Sequence, residues 1–259
     1  MEIIVLIKAT PVLEEAKISE DGKSLDTSEL KFFINETDTY ALEEAILKKE
    51  KYGGKVTVVT IADSSIENDV NEMIWESYAK GADDGIFIEY SNVYLDPYAK
   101  AKILSDFLKK LKFDLILLGA QSTDTSYSLL GQLLAKSLDL PYTTLVSSIE
   151  PSGNVLRVVR ELEEGLQEVL EIPTPSILTI QSGINTPRYP PFVKIRNAKT
   201  RPIKKVPVES IVNDPGQYVK LKRVRLYIPP SKGAANIIKG EPEEIAPKVA
   251  EIIKSVVPR

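Results

Sequence analysis

Residues 113–128, FDLILLGAQSTDTSYS, pass from a continuously apolar run into a loop rich in hydroxyl side chains. The four apolar residues from Leu115 to Leu118 are typical of a strand buried on both faces, as parallel strands covered by helices are. Gly119 ends the strand, and a helical pattern follows. Gly131 lies inside that predicted helix, where it costs about 1 kcal/mol relative to Ala, which indicates close approach of a ligand or another helix. The stretch predicts a parallel α/β sheet with a ligand-binding loop at one strand end.

The sequence on either side repeats this alternation of short β-branched runs and helical patterns, which is typical of an α/β fold. The predicted strands and helices are Ile3–Lys8, Val56–Ala62, Gly85–Glu89 and Phe113–Leu118, and Asp38–Lys51, Ile66–Lys80, Pro97–Leu111 and Thr125–Leu138. Val155–Glu161 and Gln167–Ile172 predict an antiparallel hairpin, and Ser176–Gln181 predicts a further strand. We therefore expect a mostly parallel sheet flanked by helices, with an added hairpin.

The last fifty or so residues have a different character. They predict an extended arm that passes through Pro229-Pro230 and ends in a helix near Glu243–Val257. Because the arm has little sequence of its own to pack against, we expect it to pack on a partner. The expected division is an α/β domain over residues 1–205, followed by an arm and helix over residues 206–259.

The composition is that of an ordinary globular protein, but two residue types are missing. Of 259 residues, 43% are hydrophobic and 27% are charged, which is ample material for a core. The chain has no cysteine and no histidine. Their absence excludes disulfides, thiolate nucleophiles, Cys- or His-ligated metals and imidazole acid–base catalysis. It favours binding, or chemistry carried by a bound cofactor, and we expect no metal site.

The net charge of −4 argues against a globally basic nucleic-acid binder. The apolar run at the N-terminus is far shorter than the roughly 20 residues that cross a membrane, and no signal-peptide cleavage pattern follows it. The sequence therefore predicts a cytoplasmic protein with no nucleic-acid partner and no direct membrane insertion.

Three loops at the predicted strand ends carry polar groups that suit a ligand. In Gly119–Ser128, hydroxyl groups and the N–H groups of a helix start suit a phosphate, but an N-cap at Asp124 or Thr125 explains the pattern equally well. Asp63 suits ribose hydroxyls or a cap of the next helix. Asn35–Asp38 suits ligand contacts or capping in the same way. The sequence has neither a Walker loop nor a G-x-G-x-x-G motif after a strand.

A basic segment, defined here as residues 184–205, has seven basic residues and no acidic one. Its only aromatic residues are Tyr189 and Phe192, and its prolines interrupt regular structure, so nucleic-acid binding is weakly supported. Electrostatic attraction of an acidic protein partner is favoured. A solvated basic loop is the simplest alternative. The basic residues are Arg188, Lys194, Arg196, Lys199, Arg201, Lys204 and Lys205.

Three separated motifs resemble the β subunit of electron transfer flavoproteins. The first is NETDTYALEEAILKKE at residues 35–50. The second is GAQSTD at 119–124, followed by GQLLA at 131–135 and Pro141. The third combines Arg160-Glu161 and Gly165 with NTPRYP at 185–190. Because the motifs occur in the family's order over roughly residues 1–205, together they are far more specific than one glycine-rich loop.

The resemblance implies an adenine-nucleotide-binding fold of the universal-stress-protein-like superfamily. It also implies a heterodimer in which an α subunit makes most of the contacts to a shared FAD, while this chain binds AMP or a second FAD in its own cleft. The nucleotide-binding residues implied by the family are Leu6, Asn35, Glu36, Thr37, Asp38, Asp63, Ser122, Thr123, Asp124, Thr125, Ser126, Tyr127, Ser128, Leu129, Leu130, Gly131, Gln132 and Leu133.

Two further surfaces follow from the resemblance. A flavin-facing loop would lie around Thr10 to Glu14 and include Leu13. A surface that docks dehydrogenases would include Phe192, which falls where the family presents an apolar anchor. The charged docking residues would be Arg188, Lys199 and Arg201.

An electron-carrier subunit, rather than an enzyme, is therefore the leading interpretation. It would accept electrons from dehydrogenases and pass them to a quinone-linked or ferredoxin-type acceptor. One alternative is a stand-alone adenine-nucleotide sensor of the universal-stress type, and another is an enzyme that activates its substrate with ATP. The sensor typically has a Gly-x-x-Gly pattern and the enzyme a Ser-Gly-Gly-x-Asp loop, and the sequence has neither.

Overall fold

The computed structural model describes residues 1–13, 16–91, 93–230, 233, 235 and 237–256. The strands are β1 Glu2–Leu6, β2 Ala9–Pro11, β3 Lys17–Ile18, β4 Leu25–Asp26, β5 Phe32–Ile34, β6 Lys55–Asp63, β7 Asp84–Tyr90, β8 Leu115–Gly119, β9 Tyr142–Ser152, β10 Val155–Glu161, β11 Gln167–Pro173, β12 Ser176–Ile180 and β13 Lys204–Pro207. The helices are α1 Glu36–Tyr52, α2 Glu67–Lys80, α3 Pro97–Leu108, α4 Leu130–Leu138, α5 Phe192–Ala198 and α6 Pro242–Val256.

Within the described residues, nine strands form the main sheet in the order β11-β10-β9-β12-β8-β1-β6-β7-β13. In this sheet order, every neighbouring pair from β9 through β12, β8, β1, β6 and β7 to β13 is parallel. The pairs β9–β10 and β10–β11 are antiparallel. The predicted fold class and hairpin are confirmed. Parallel strands need helical crossovers, and this is why α1 to α4 alternate with strands along the chain.

The core consists of two apolar layers, one on each face of the sheet. Along β1, Ile3 and Val5 face the layer that contains α1 and α2, while Ile4 and Leu6 face the layer that contains α3 and α4. This alternation follows from the two-residue period of a strand. Both faces are covered, so β8 is apolar at every position from Leu115 to Leu118, as its sequence predicts.

The basic segment is more regular than its prolines indicate. Residues 192–198 form α5, which packs on α2, and residues 204–207 form β13, the edge strand beside β7. Val208 and Val212 then enter the core. The expectation of an irregular segment up to residue 205 was wrong, because apolar residues placed between the basic ones pack against the core.

The described chain divides into two compact units, Met1–Arg225 and Leu226–Arg259. The first therefore extends beyond residue 205, the predicted end of the α/β domain. The second contains α6, close to the predicted final helix; Val257, its predicted last residue, lies outside the described residues. In the part of the chain that the structure describes, no helix is both long and apolar enough to cross a membrane.

Candidate functional site

A cavity of about 490 Å³ lies at the carboxyl ends of the parallel strands. Leu6, Asp63, Tyr90 and Gly119, which end or flank the ends of β1, β6, β7 and β8, contribute to its wall. Strands β6 and β7 follow on one side of β1 while β8 lies on the other, so the connections that leave β1 and β8 diverge at this point. Such a crevice is where open α/β sheets bind ligands.

The loop after β8 forms one wall of the cavity and differs from its prediction. Ser126 and Ser128 have left-handed backbone conformations, with φ of 53° and 51°, and α4 begins only at Leu130. Left-handed residues interrupt a right-handed helix. The predicted helix start at Thr125 and the predicted N-cap at Asp124 or Thr125 were therefore wrong.

Asn35 fixes the conformation of this loop from beneath. Its side-chain Nδ2 donates to the carbonyl of Gln121 at 2.9 Å, and its Oδ1 accepts from the N–H of Thr123 at 3.1 Å. Thr37 Oγ1 donates to the same carbonyl of Gln121 at 2.5 Å. Asn35 makes no side-chain capping bond to α1. These residues of the 35–50 motif therefore hold the cavity wall in place.

Asp38 joins the two diverging connections. Its carboxylate oxygens accept from the backbone N–H of Lys8 at 2.8 Å and from that of Gly119 at 2.7 Å. Burial raises the pKa of Asp38 to about 6, although both N–H groups favour the ionised form. Both oxygens are thus used to tie the end of β1 to the end of β8.

Lys8 and Asp124 form an ion pair at the cavity. The ammonium of Lys8 lies 2.5 Å from Asp124 Oδ1 and also donates to Ser122 Oγ at 3.1 Å and Thr125 Oγ1 at 3.2 Å. Burial lowers the pKa of Lys8, and Asp124 partly opposes that change. Burial acts to raise the pKa of Asp124, but Lys8 outweighs it and the pKa is lowered. The pair is therefore charged and mutually neutralising.

Two further cations border the cavity together with two tyrosines. The Lys100 ammonium lies 6.0 Å from the ring centre of Tyr90, and the Arg223 guanidinium lies 4.5 Å from that of Tyr94. Burial lowers the pKa of Lys100 and raises that of Tyr90 to about 12. This side of the cavity is therefore aromatic and positively charged.

Most of the residues predicted to bind a nucleotide line the cavity. Those in its wall are Leu6, Asn35, Asp38, Asp63, Ser122, Asp124, Thr125, Tyr127, Ser128, Leu129, Leu130 and Gly131. Those outside its wall are Glu36, Thr37, Thr123, Ser126, Gln132 and Leu133. Asp63 also accepts the N–H of Ser65 at 2.9 Å, so it caps the short turn after β6 while it borders the cavity.

Gly131 lies in the first turn of α4, close to strand β12. A Cβ at this position would clash with the methyl group of Thr179 in that strand. The sequence position predicted close approach of a ligand or another helix, but the close neighbour within the chain is a strand of the sheet. Gly131 also lines the cavity.

The predicted docking residues do not line the cavity, and neither do Thr10 and Leu13 of the predicted flavin-facing loop, although Ala9 and Pro11 on either side of Thr10 do. Thr10 is buried in β2 and Leu13 is 45% exposed, whereas Glu14 lies outside the described residues. Phe192, at the start of α5, is 77% exposed.

The charged docking candidates are paired within the chain. Arg188 donates to Glu43 at 2.9 Å and to Glu50 at 2.6 Å, both on α1. The hydrogen bond to Glu50 and the bond to Glu43 raise the pKa of Arg188. Lys199 bonds Glu72 of α2 at 2.6 Å.

Arg201 is likewise held inside the chain. It stacks 3.9 Å from the ring centre of Tyr78 and donates to the carbonyls of Ala82 and Asp83. The docking roles of Phe192, Arg188, Lys199 and Arg201 stay predictions.

Sequence reasoning missed the cavity cations Lys8, Lys100 and Arg223. Lys8 lies two residues beyond the end of β1, and Lys100 lies in the first turn of the helix after β7. The strand-end rule that selected the three loops therefore applies to both residues. Arg223 does not follow a predicted strand, so the strand-end rule does not select it. It belongs to the predicted arm, and only the folded chain places it at the cavity.

The fold and the cavity define an α/β protein with a crevice at the carboxyl ends of its parallel strands, and comparison with known proteins identifies its family. The model of the electron transfer flavoprotein domain matches residues 24–211. The chain is 36% identical to electron transfer flavoprotein subunit beta of Methylophilus methylotrophus over 98% of both chains. It is 32% identical to the same subunit of Bacillus subtilis over 98% of both chains, and 31% identical to that of Homo sapiens over 97% of this chain and 98% of the relative.

The chain belongs to the electron transfer flavoprotein family. The resemblance of its three motifs is thereby confirmed, and so is the interpretation as an electron-carrier subunit rather than an enzyme.

Proposed function

We propose that this chain is the β subunit of a heterodimer that holds FAD at the boundary with an α subunit and carries electrons from dehydrogenases to a quinone-linked or ferredoxin-type acceptor. In this proposal AMP or a second FAD occupies the cavity, and the heterodimer is cytoplasmic. The flavin supplies the electron-accepting and electron-donating chemistry. This chain supplies a nucleotide site, part of the flavin's surroundings around Thr10 and Leu13, and a docking surface.

The observation that carries the proposal is the cavity at the strand ends. Its volume of about 490 Å³ falls within the roughly 300–1,000 Å³ of small-molecule sites. Leu130 and Gly131, in the first turn of α4, line it, and the N–H groups of a first turn have no partner within the helix. Such N–H groups bind phosphate. The residues present therefore fit a nucleotide.

The second compact unit supports the proposal that this chain binds a partner subunit. Along α6, apolar side chains recur at helical spacing and are exposed, which is typical of a helix that buries one face against another protein. These side chains are Val249, Ile252, Ile253 and Val256.

The test is to purify the full chain with and without its α subunit, denature each sample and separate the released nucleotides. The proposal expects about one FAD per heterodimer, plus AMP or a further FAD. It also expects the chain without its partner to lack the shared flavin. A chain that binds adenine nucleotide alone and gains no flavin with the partner would support the stand-alone sensor instead.

Docking has its own test, at Phe192. Because exposed aromatic residues are frequent interface hot spots, Phe192→Ala should slow electron exchange with a dehydrogenase about 30-fold, at about 2 kcal/mol for such a side chain. The FAD content should stay unchanged. The matched control is Tyr52→Ala, which removes another exposed aromatic ring at the far end of α1. An unchanged rate, or loss of FAD, would refute the docking role of Phe192.

A further inference from the structure

Lys100 and Arg223 approach the cavity from two elements that are far apart in sequence. Lys100 belongs to α3, and Arg223 follows the last turn of the first compact unit. Both line the cavity, and Arg223 is close enough to Lys100 to contribute to the lowering of its pKa. Neither has a salt bridge to any carboxylate in the described ranges of the chain.

The carboxylates at the cavity are already committed to other groups. Asp124 neutralises Lys8, Asp38 accepts two backbone N–H groups, and Asp63 accepts the N–H of Ser65. Neither cation forms a salt bridge with these carboxylates, although the charge of Asp124 partly opposes the lowering of the Lys100 pKa by burial. Desolvated cations are costly unless an anion balances them.

The segment that carries Arg223 is held in place. The buried carboxylate of Asp96 accepts the N–H groups of Lys220 and Leu221, each at 2.7 Å. The Arg223 guanidinium stacks on Tyr94 and donates to the carbonyl of Lys23 at 3.1 Å. Arg223 is thus oriented by its surroundings before any ligand arrives, which reduces the entropy lost on binding.

We propose that Lys100 and Arg223 form an anion subsite that binds a phosphate group of the nucleotide in the cavity. The inference rests on the proposed function for the presence of a nucleotide, but it assigns two residues that none of the sequence motifs indicate. Through Arg223, the segment that follows Leu221 also contacts the ligand. AMP and FAD both carry a phosphate adjacent to adenosine, so the subsite suits the chemistry that they share.

The experiment measures binding of three probes to the nucleotide-free full chain by titration calorimetry. AMP and FAD carry phosphate, and adenosine does not. Lys100→Gln and Arg223→Gln should each weaken AMP binding about 30-fold, since a hydrogen bond to a charged group contributes on that scale. Adenosine binding should change less than threefold, and Lys100→Arg should retain most of the AMP affinity.

Matched controls are Lys110→Gln and Lys222→Gln, which remove exposed cations next to the same elements. Weaker binding of both AMP and FAD would assign the subsite to the phosphate that they share, whereas a loss for AMP alone would assign it to a phosphate monoester. An equal loss for adenosine, or no loss for AMP, would overturn the subsite while leaving the proposed function intact. Failure of the wild-type chain to bind any of the probes would overturn nucleotide binding itself and the subsite with it.

Discussion

The basic segment and the cavity hold their positive charges in opposite ways. In the basic segment, Arg188 and Lys199 pair with glutamates on α1 and α2. In the cavity, Lys100 and Arg223 form no salt bridge within the residues that the structure describes. The segment that stands out in the sequence by its basic residues and its lack of acidic ones is therefore not the region where charge is most available to a ligand.

The difference arises from what each region packs against. The basic segment crosses helices that present Glu43, Glu50 and Glu72 to it, so its cations are neutralised locally. The cavity lies at strand ends, where backbone N–H groups compete for the carboxylates. Sequence composition records neither arrangement, because the partners are distant along the chain.

The largest expected effect tests the basic segment, where cations pair with glutamates of the same chain. Arg188→Met would leave Glu43, which is 4% exposed, as a buried carboxylate without its cation. Breaking such a pair costs about 3 kcal/mol of unfolding free energy. Urea unfolding measures the loss. Arg196→Met on α5 is the control, since exposed positions usually change stability by less than about 0.5 kcal/mol. Equal losses in both variants would contradict the role of the Arg188 pairs.

The second-largest expected effect concerns the carboxyl group of Asp38, which lines the cavity. A carboxyl whose pKa rises on folding stabilises the folded state below its unfolded pKa, and that contribution is lost as the pH rises through the folded pKa. For Asp38 this window runs from 3.8 to about 6. The stability of the wild type relative to Asp38→Asn should therefore fall by about 2 to 3 kcal/mol between acid and neutral pH. Unfolding curves at several pH values measure this difference, and parallel pH profiles for the two proteins would contradict it.

Much of this arrangement follows from local sequence. The apolar run at Leu115–Leu118 and the polar loop after it predict both a central parallel strand and a ligand site at its end. These predictions succeed because strand burial and the strand-end rule depend on neighbouring residues.

The parts that could not be predicted depend on distant contacts. The left-handed residues Ser126 and Ser128 delay the start of α4 in a loop that Asn35 and Lys8 hold from other elements. Arg223 reaches the cavity because Asp96 anchors the backbone before it. In both cases the deciding partner lies many residues away, so no window of sequence contains the signal.

The smallest expected effect sharpens the comparison within the basic segment itself. Lys194 and Arg196 are exposed on α5 beside Phe192, whereas Lys199 and Arg201 are bound within the chain. If the segment attracts an acidic dehydrogenase, the exposed pair should contribute most of the attraction, since long-range steering depends on charge that is not neutralised locally.

Charge reversal at both Lys194 and Arg196 should thus slow association with the dehydrogenase roughly threefold to tenfold at low salt. This loss of rate should shrink as salt is added, because the Debye length falls from about 30 Å at 0.01 M to about 8 Å at 0.15 M. The same reversal at Lys199 and Arg201 should change the association rate less and lower stability more, because it breaks contacts with Glu72 and with the backbone. Stopped-flow rates over a salt series, together with urea unfolding, separate the two effects. A salt-independent loss at Lys194 and Arg196, or a larger rate loss at the internally bound pair, would place the attraction elsewhere on the chain.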